Sequence, residues 1–307
     1  MKIGYLSTVY HTSLLIKNMT KSINDENLEW ELFPTGPAMI NAFFAEKIDL
    51  GYIGLPPVMI GIDNGLKVKC IAGGHVEGTV LVAPSPYQTY HDLVEEKDGI
   101  LKEEVFNKLI SQFKGKTIGV PSKGCIHDVI LRKISAKYSI KIKNYRWADL
   151  IPYALEEGEI DAGVGTPAMA VAAKKIANTQ VIMPPKCLWA NNPSYGIVVK
   201  EEIMKEKKEF LKDFLIIHEK MSRMINETPE KVAKIVSQEL GLDDDFALKT
   251  FKISAKYCAS LPNEFIESTM KFIEPLKQLG YLNSDLRFED IFYTELIEKI
   301  HPQSPHY

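Results

Sequence analysis

Long hydrophobic runs are missing from this 307-residue chain, and so is a strong excess of charge of either sign. No apolar stretch reaches the roughly 18–20 residues that span a bilayer, so no transmembrane segment is expected. Lysine and arginine total 37 against 40 aspartates and glutamates, leaving a net charge of −3. That balance supplies no basic field, and nucleic acid is not expected as a partner. Cysteine is scarce. Cys70, Cys125, Cys187 and Cys258 form no C-x-x-C pair and no dense framework, so neither a metal site nor a disulfide scaffold is expected. A recognisable leader is also lacking. Met1-Lys2 runs straight into strand-like Ile3-Gly4-Tyr5-Leu6, without a basic region, a longer apolar stretch or a small-residue cleavage site. With Met1 as the native start the protein is expected to be cytoplasmic; with a leader removed it is expected to be extracytoplasmic.

What is present is ordinary globular composition, 45% hydrophobic and 25% charged, at a length that suits about two domains. The chain also echoes itself. Ile3-Gly4-Tyr5-Leu6-Ser7, with His11 behind it, matches Ile118-Gly119-Val120-Pro121-Ser122, with His127 behind it. Further on, Ile48-Asp49-Leu50-Gly51-Tyr52-Ile53-Gly54 matches Ile160-Asp161-Ala162-Gly163-Val164-Gly165. Two landmarks repeated at nearly equal separation point to duplication, or to two halves converging on one architecture.

Each half has the same grammar: a short apolar run bounded by Gly or Ser, read as a buried strand, then a polar loop opening a helix. Helices are expected near Thr12–Ile23 and Ile126–Tyr138, and strands near Trp30–Phe33 and Ile142–Tyr145. Alternating strands and helices predict an α/β fold of two doubly wound lobes with parallel sheets, which bind ligands beyond the carboxyl ends of their strands. Gly78–Ala83 and Tyr195–Lys200 read as two crossings forming a hinge. The expected lobes are residues 1–83 with 197–307, and residues 84–196. The end of the chain is helical: Lys208–Asn226, Pro229–Glu239, Asp244–Ser254, Asn263–Leu279 and Glu289–Ile300. Phe214, Ile217, Met221 and Met224 form a stripe suited to packing on lobe one. The last seven residues, His301 to Tyr307, are expected to be disordered, the alternative being a fold back over the cleft mouth.

Phe33-Pro34-Thr35-Gly36-Pro37, the Ile48–Gly54 segment, Phe113-Lys114-Gly115-Lys116-Thr117-Ile118-Gly119-Val120 and Gly158–Ala162 together resemble the nitrate/sulfonate/taurine group of ABC-transporter solute-binding proteins. Relatives of thiamine-pyrimidine precursor synthesis belong to that group. The resemblance covers about residues 1 to 200. It implies the type II periplasmic-binding-protein fold, a small-molecule ligand clamped at an interlobe cleft by hinge closure, and delivery to an ABC permease.

Candidate ligand contacts follow from the repeated turns. Ser7, Thr8, Tyr10 and His11 come after the first strand; Ser122, Lys123, Gly124 and His127 come after its counterpart. Hydroxyls and backbone N–H groups at helix starts make seats for anions, although helix capping by the same serines is the simpler role. Thr35 and Gly36 open the next helix. Gly54, Leu55, Pro56 and Thr166 follow the third strand of each half. His75 and Glu77, set among glycines, read as ligand contacts or as a turn with a solvated acid. Tyr195 lies at the return crossing.

The first reading is a solute-binding protein for a small polar or anionic molecule. It needs no cofactor, and it is expected to be monomeric, since a clamp must open. The alternative is a cytoplasmic enzyme on the same scaffold, of the thiamine-pyrimidine precursor or menaquinone-pathway type. His11, His127, Glu77 and Cys125 would be its chemical groups, with Cys125 activated at a helix start beside Lys123. The cysteine-rich run expected of the pyrimidine synthases is absent, and the sequence offers no convincing Ser-His-Asp or Cys-His-Asn arrangement.

Overall fold

The computed structural model describes residues 1–95 and 102–307. The chain forms two compact units, Met1–Val76 with Asn191–Tyr307, and Glu77–Ala190. The strands in chain order are β1 Lys2–Leu6, β2 Ser22–Ile23, β3 Glu26–Asn27, β4 Glu29–Phe33, β5 Leu50–Ile53, β6 Val68–Val76, β7 Val80–Ala83, β8 Thr117–Val120, β9 Lys141–Asn144, β10 Ala162–Gly165, β11 Gln180–Met183 and β12 Pro193–Lys200.

The sheet of the first unit has the order β4-β1-β5-β12-β6. β1 is parallel to β4 and β5, and β12 is antiparallel to β5 and β6. The sheet of the second unit has the order β9-β8-β10-β7-β11. There β8 is parallel to β9 and β10, and β7 is antiparallel to β10 and β11. The two sheets therefore match strand for strand. They are mixed rather than wholly parallel, because in each the fourth strand arrives from the other half of the chain and runs against its neighbours. Val80–Ala83, placed by the sequence at the end of the first lobe, is β7 of the second sheet, and Pro193–Gly196 belongs to the first.

The echo has a physical cause. Gly4 pairs with Gly51 in one sheet and Gly119 with Gly163 in the other. A β-carbon on Gly51 would lie 2.7 Å from Met39 Sδ, and one on Gly163 would lie 2.6 Å from Ile151 Cγ2. Glycine lets the covering helices, Gly36–Phe44 and Ile151–Glu156, lie close against the strands. Asp49 Oδ2 accepts the Lys2 N–H at 2.8 Å, and Asp161 Oδ2 accepts the Thr117 N–H at 2.8 Å. Each Asp thus satisfies the first backbone donor of the central parallel strand.

The helices after β12 belong to the first unit. Lys208–Glu227 buries Phe214, Leu215, His218, Met221 and Ile225, while Ile217 and Met224 stay half-buried; it packs on helix Thr12–Met19. That first helix is shorter than expected, since Thr20 turns extended and the chain enters the β2–β3 hairpin. The helix expected over Asn263–Leu279 is two, Asn263–Met270 and Ile273–Gln278, because Pro275 has no N–H to continue the ladder. The last expected helix is also divided. Phe292 and Tyr293 extend alongside Cys70, with the Tyr293 N–H donating to the Cys70 carbonyl at 3.0 Å. The terminal residues are ordered against the first unit: His301 is buried and the Lys256 ammonium sits 5.7 Å from the Tyr307 ring centre. Among the described residues, no helix is long and apolar enough to cross a membrane.

Candidate functional site

In the first unit, parallel strands β4, β1 and β5 end on the same side, and the predicted residues follow them. Ser7 is exposed and Thr8 half-buried after β1. Thr35 caps helix Gly36–Phe44, its hydroxyl accepting the Ala38 N–H at 3.4 Å. A β-carbon on Gly36 would press on Pro57 Cγ at 3.0 Å, so tight packing already accounts for this glycine. Gly54 leads into helix Leu55–Asp63, in whose first turn Leu55 and Pro56 are buried.

Tyr10, His11, His75 and Tyr195 come together in one buried aromatic cluster. The His11 ring centre lies 4.1 Å from that of Tyr195, and Tyr10 lies 4.4 Å from His75. His75 stacks on Tyr257 at 4.7 Å. Its Nε2–H donates to the Ser254 carbonyl at 2.8 Å, which leaves Nδ1 buried without a hydrogen-bond partner. His11 Nδ1 is likewise buried and unpartnered. Gly73 and Gly74 are not in a turn but inside β6. A β-carbon on Gly74 would sit 2.0 Å from the Tyr195 ring, and one on Gly73 would sit 2.3 Å from the Ser260 carbonyl oxygen.

Sequence reasoning missed His218, Thr12 and Tyr52. His218 Nε2–H donates to the Gly73 carbonyl at 2.8 Å, so Nδ1 accepts from the Thr12 hydroxyl at 2.7 Å, with Tyr52 Oη 3.3 Å from that hydroxyl. The available signal was a histidine in the apolar stripe between Phe214 and Met221. Burial pushes the imidazoles down, His75 to about 3 and His218 to about 4. His11 falls well below the usual range through burial and its neighbours His75 and His218. These rings are neutral near pH 7 and act as hydrogen-bonding and stacking groups, not as cations.

In the second unit, the turn after β8 carries Ser122, Lys123 and Gly124. Gly124 has φ +81°, a left-handed conformation suited to glycine. Its N–H donates to Asp128 Oδ2 at 2.8 Å, and the Cys125 N–H donates to the Ser122 carbonyl at 3.1 Å. Two amides expected to be open to an anion are thus committed within the turn. Asp128 is fully buried. It also accepts from Arg132 Nε, at 2.9 Å to each oxygen, and from Asn144 Nδ2 at 2.8 Å. Ser122 Oγ is buried with no hydrogen-bond partner, and Lys123 is exposed. Neither Ser7 nor Ser122 caps a helix: the cap positions are His11 and Cys125, and neither of those caps through its side chain.

His127 is half-buried, and its Nε2–H donates to the Gly78 carbonyl at 3.3 Å. Burial pushes it down to about 4. Cys125 Sγ lies 3.8 Å from His127 Nδ1, but burial pushes the thiol up to about 12. Burial thus opposes the activation expected of Cys125 at a helix start beside Lys123. Thr166 caps helix Pro167–Ala177, accepting the Met169 N–H at 3.2 Å. Glu77 is buried, with φ +62°, and so is not a solvated acid.

These turns, on paired strands of matching sheets, are the setting in which the profile of the NMT1-like family matches residues 1–240. The chain belongs to the NMT1-like family. A curated relative from Brucella abortus, provisionally named binding protein BAB2_1146, is 23% identical over 257 residues, covering 79% of this chain and 72% of its own. Among solved structures, this NMT1-like chain is similar to the zinc-bound ligand-binding component of an ABC-type import system from Staphylococcus aureus. The TM-score is 0.78 at 16% identity, over 99% of each chain. It is also similar to the periplasmic aliphatic sulphonate-binding protein SsuA of Escherichia coli, with a TM-score of 0.76 at 15% identity over 96% of this chain and 92% of SsuA. At these identities the likeness establishes the fold, which is that of the type II periplasmic binding proteins.

Proposed function

We propose that this protein is a solute-binding protein that captures one small anionic or zwitterionic molecule and delivers it to an ABC-type permease. The observation that carries the reading is Ser122. Its hydroxyl is buried without a protein partner, at the carboxyl end of the central parallel strand of its sheet, where α/β folds take ligands. A buried hydroxyl left unmatched costs stability, and a solute oxygen matches it. Ser7, Thr8 and Gly54 occupy the corresponding strand ends of the first unit, and His127 and Thr166 stand with Ser122 in the second. Hinge closure on a solute is general to this fold.

The similarity to a sulphonate-binding protein supports a solute with a compact anionic group. The neutral histidines supply no positive charge, which favours a singly charged solute over a phosphate ester. Mass spectrometry of small molecules retained by natively purified protein tests the reading. One unchanged solute at one per chain is expected; a substrate with its product would instead indicate an enzyme.

A further inference from the structure

Four potential metal-binding side chains from distant parts of the first unit converge behind the aromatic cluster. Glu219 lies on helix Lys208–Glu227, and Cys258 follows Tyr257 in the segment paired with β6. His301 and His306 lie in the terminal segment after helix Glu295–Ile300. One donor atom from each falls within 4.8 Å of every other. Glu219, Cys258 and His301 are buried, and His306 is half-buried.

Three of the separations are close to the edges of a coordination tetrahedron. His301 Nε2 lies 3.2 Å from His306 Nε2, 3.5 Å from Cys258 Sγ and 3.7 Å from Glu219 Oε1. A tetrahedron with metal–nitrogen bonds of about 2.0 Å and metal–sulfur bonds of about 2.3 Å has edges of about 3.3–3.6 Å. The edge between His306 Nε2 and Glu219 Oε1 is shorter, 2.6 Å, as a hydrogen bond in the metal-free chain. Metal entry opens it by about 0.7 Å.

Hydrogen bonding alone serves this cluster poorly. His301 Nε2 holds either one proton or one lone pair, yet it faces a sulfur, a second ring nitrogen and a carboxylate oxygen. A dication satisfies four donor atoms at once, and a thiolate with a carboxylate neutralises its charge. Support for Glu219 and Cys258 is in place. Glu219 Oε2 accepts the Ala259 N–H at 3.4 Å, Arg223 Nη2 lies 3.2 Å from Oε1, and Ser260 Oγ lies 3.0 Å from Cys258 Sγ.

We infer that Glu219, Cys258, His301 and His306 form a closed tetrahedral site for zinc. The donors, two imidazoles, a thiolate and a carboxylate, suit zinc and not calcium or magnesium. Four protein ligands leave no open position, so the site is structural. It fastens the chain end to helix Lys208–Glu227 and to the segment that holds Tyr257 against His75. The sequence pointed away from a metal because the ligands are dispersed and no C-x-x-C pair marks them.

The test uses untagged full-length protein stripped with a chelator and titrated with zinc against a chromogenic competitor. One equivalent is expected to bind and to raise Tm. His306→Ala, and a chain ending at Ile300, are expected to lose about 100-fold or more in affinity and to lose the zinc-dependent rise in Tm. Zinc-free circular dichroism of each variant serves as the folding control. Cobalt in the wild type is expected to show tetrahedral d–d bands with a sulfur-to-cobalt charge-transfer band, and Cys258→Ser is expected to abolish the latter. Absence of stoichiometric binding, or unchanged zinc affinity in His306→Ala, overturns the site. The readout is metal alone and does not depend on any solute.

Discussion

Gly4 faces Gly51 across the first sheet as Gly119 faces Gly163 across the second, and in each pair both positions lie against a covering helix or its flanking residues. The repeat is thus a packing requirement written twice. Gly51→Ala and Gly163→Ala are each expected to lower stability by about 1–3 kcal/mol through overpacking. Urea unfolding followed by circular dichroism measures this. Unchanged midpoints would mean that the helices can move away from the sheet at little cost.

Asp128 organises the turn that presents Ser122, joining the Gly124 amide, Arg132 and Asn144. Asp128→Ala is expected to cost about 3 kcal/mol, because it removes a buried charge from its partners. Asp128→Asn keeps part of the hydrogen bonding and is expected to cost less. Equal losses in the two variants would show that the side chain's shape matters and its acceptors do not.

Thr12 donates to the buried Nδ1 of His218. Thr12→Val preserves the shape but leaves that nitrogen unmatched, and a loss of about 1–3 kcal/mol is expected. Thr12→Ser retains the hydroxyl and is expected to recover most of it. Chemical denaturation of both variants distinguishes the hydrogen bond from the methyl group.

Stability is expected to fall on mild acidification. His75, His127 and His218 are pushed down to about 3, 4 and 4 in the folded chain, so the unfolded state takes up protons first. Their contribution is full above the unfolded value of about 6.5 and is lost as pH falls toward the folded values. Each such histidine contributes a slope of up to about 1.4 kcal/mol per pH unit. Urea midpoints at pH 7 and pH 5 read this before most carboxylates titrate, and equal midpoints would contradict it.

The fold was legible because its constraints repeat locally. Ile-Asp-x-Gly appears at both Ile48 and Ile160, since each half needs an Asp to take a strand amide and a Gly under a helix. The antiparallel fourth strands were not legible, because a short apolar run such as Val80–Ala83 carries no mark of direction. The site was less readable for a different reason. Ser122, Thr35 and Thr166 look alike in sequence, and only three-dimensional partners separate the two helix caps from the unmatched hydroxyl. Cys125 looked electropositive beside Lys123, but burial outweighs a neighbouring exposed charge. His218 lay hidden in an apolar stripe, and the Glu219–Cys258–His301–His306 cluster arises only when distant segments meet.

The central claim is that the turn at Ser122 holds the solute. Isothermal titration of ligand-stripped protein with the solute identified by mass spectrometry tests it, comparing the wild type with the Ser122→Ala/His127→Ala variant. One-to-one binding at micromolar strength or tighter is expected in the wild type, weakened about tenfold or more in the variant, consistent with loss of a buried hydrogen bond. Equal affinity in the two proteins would contradict the account.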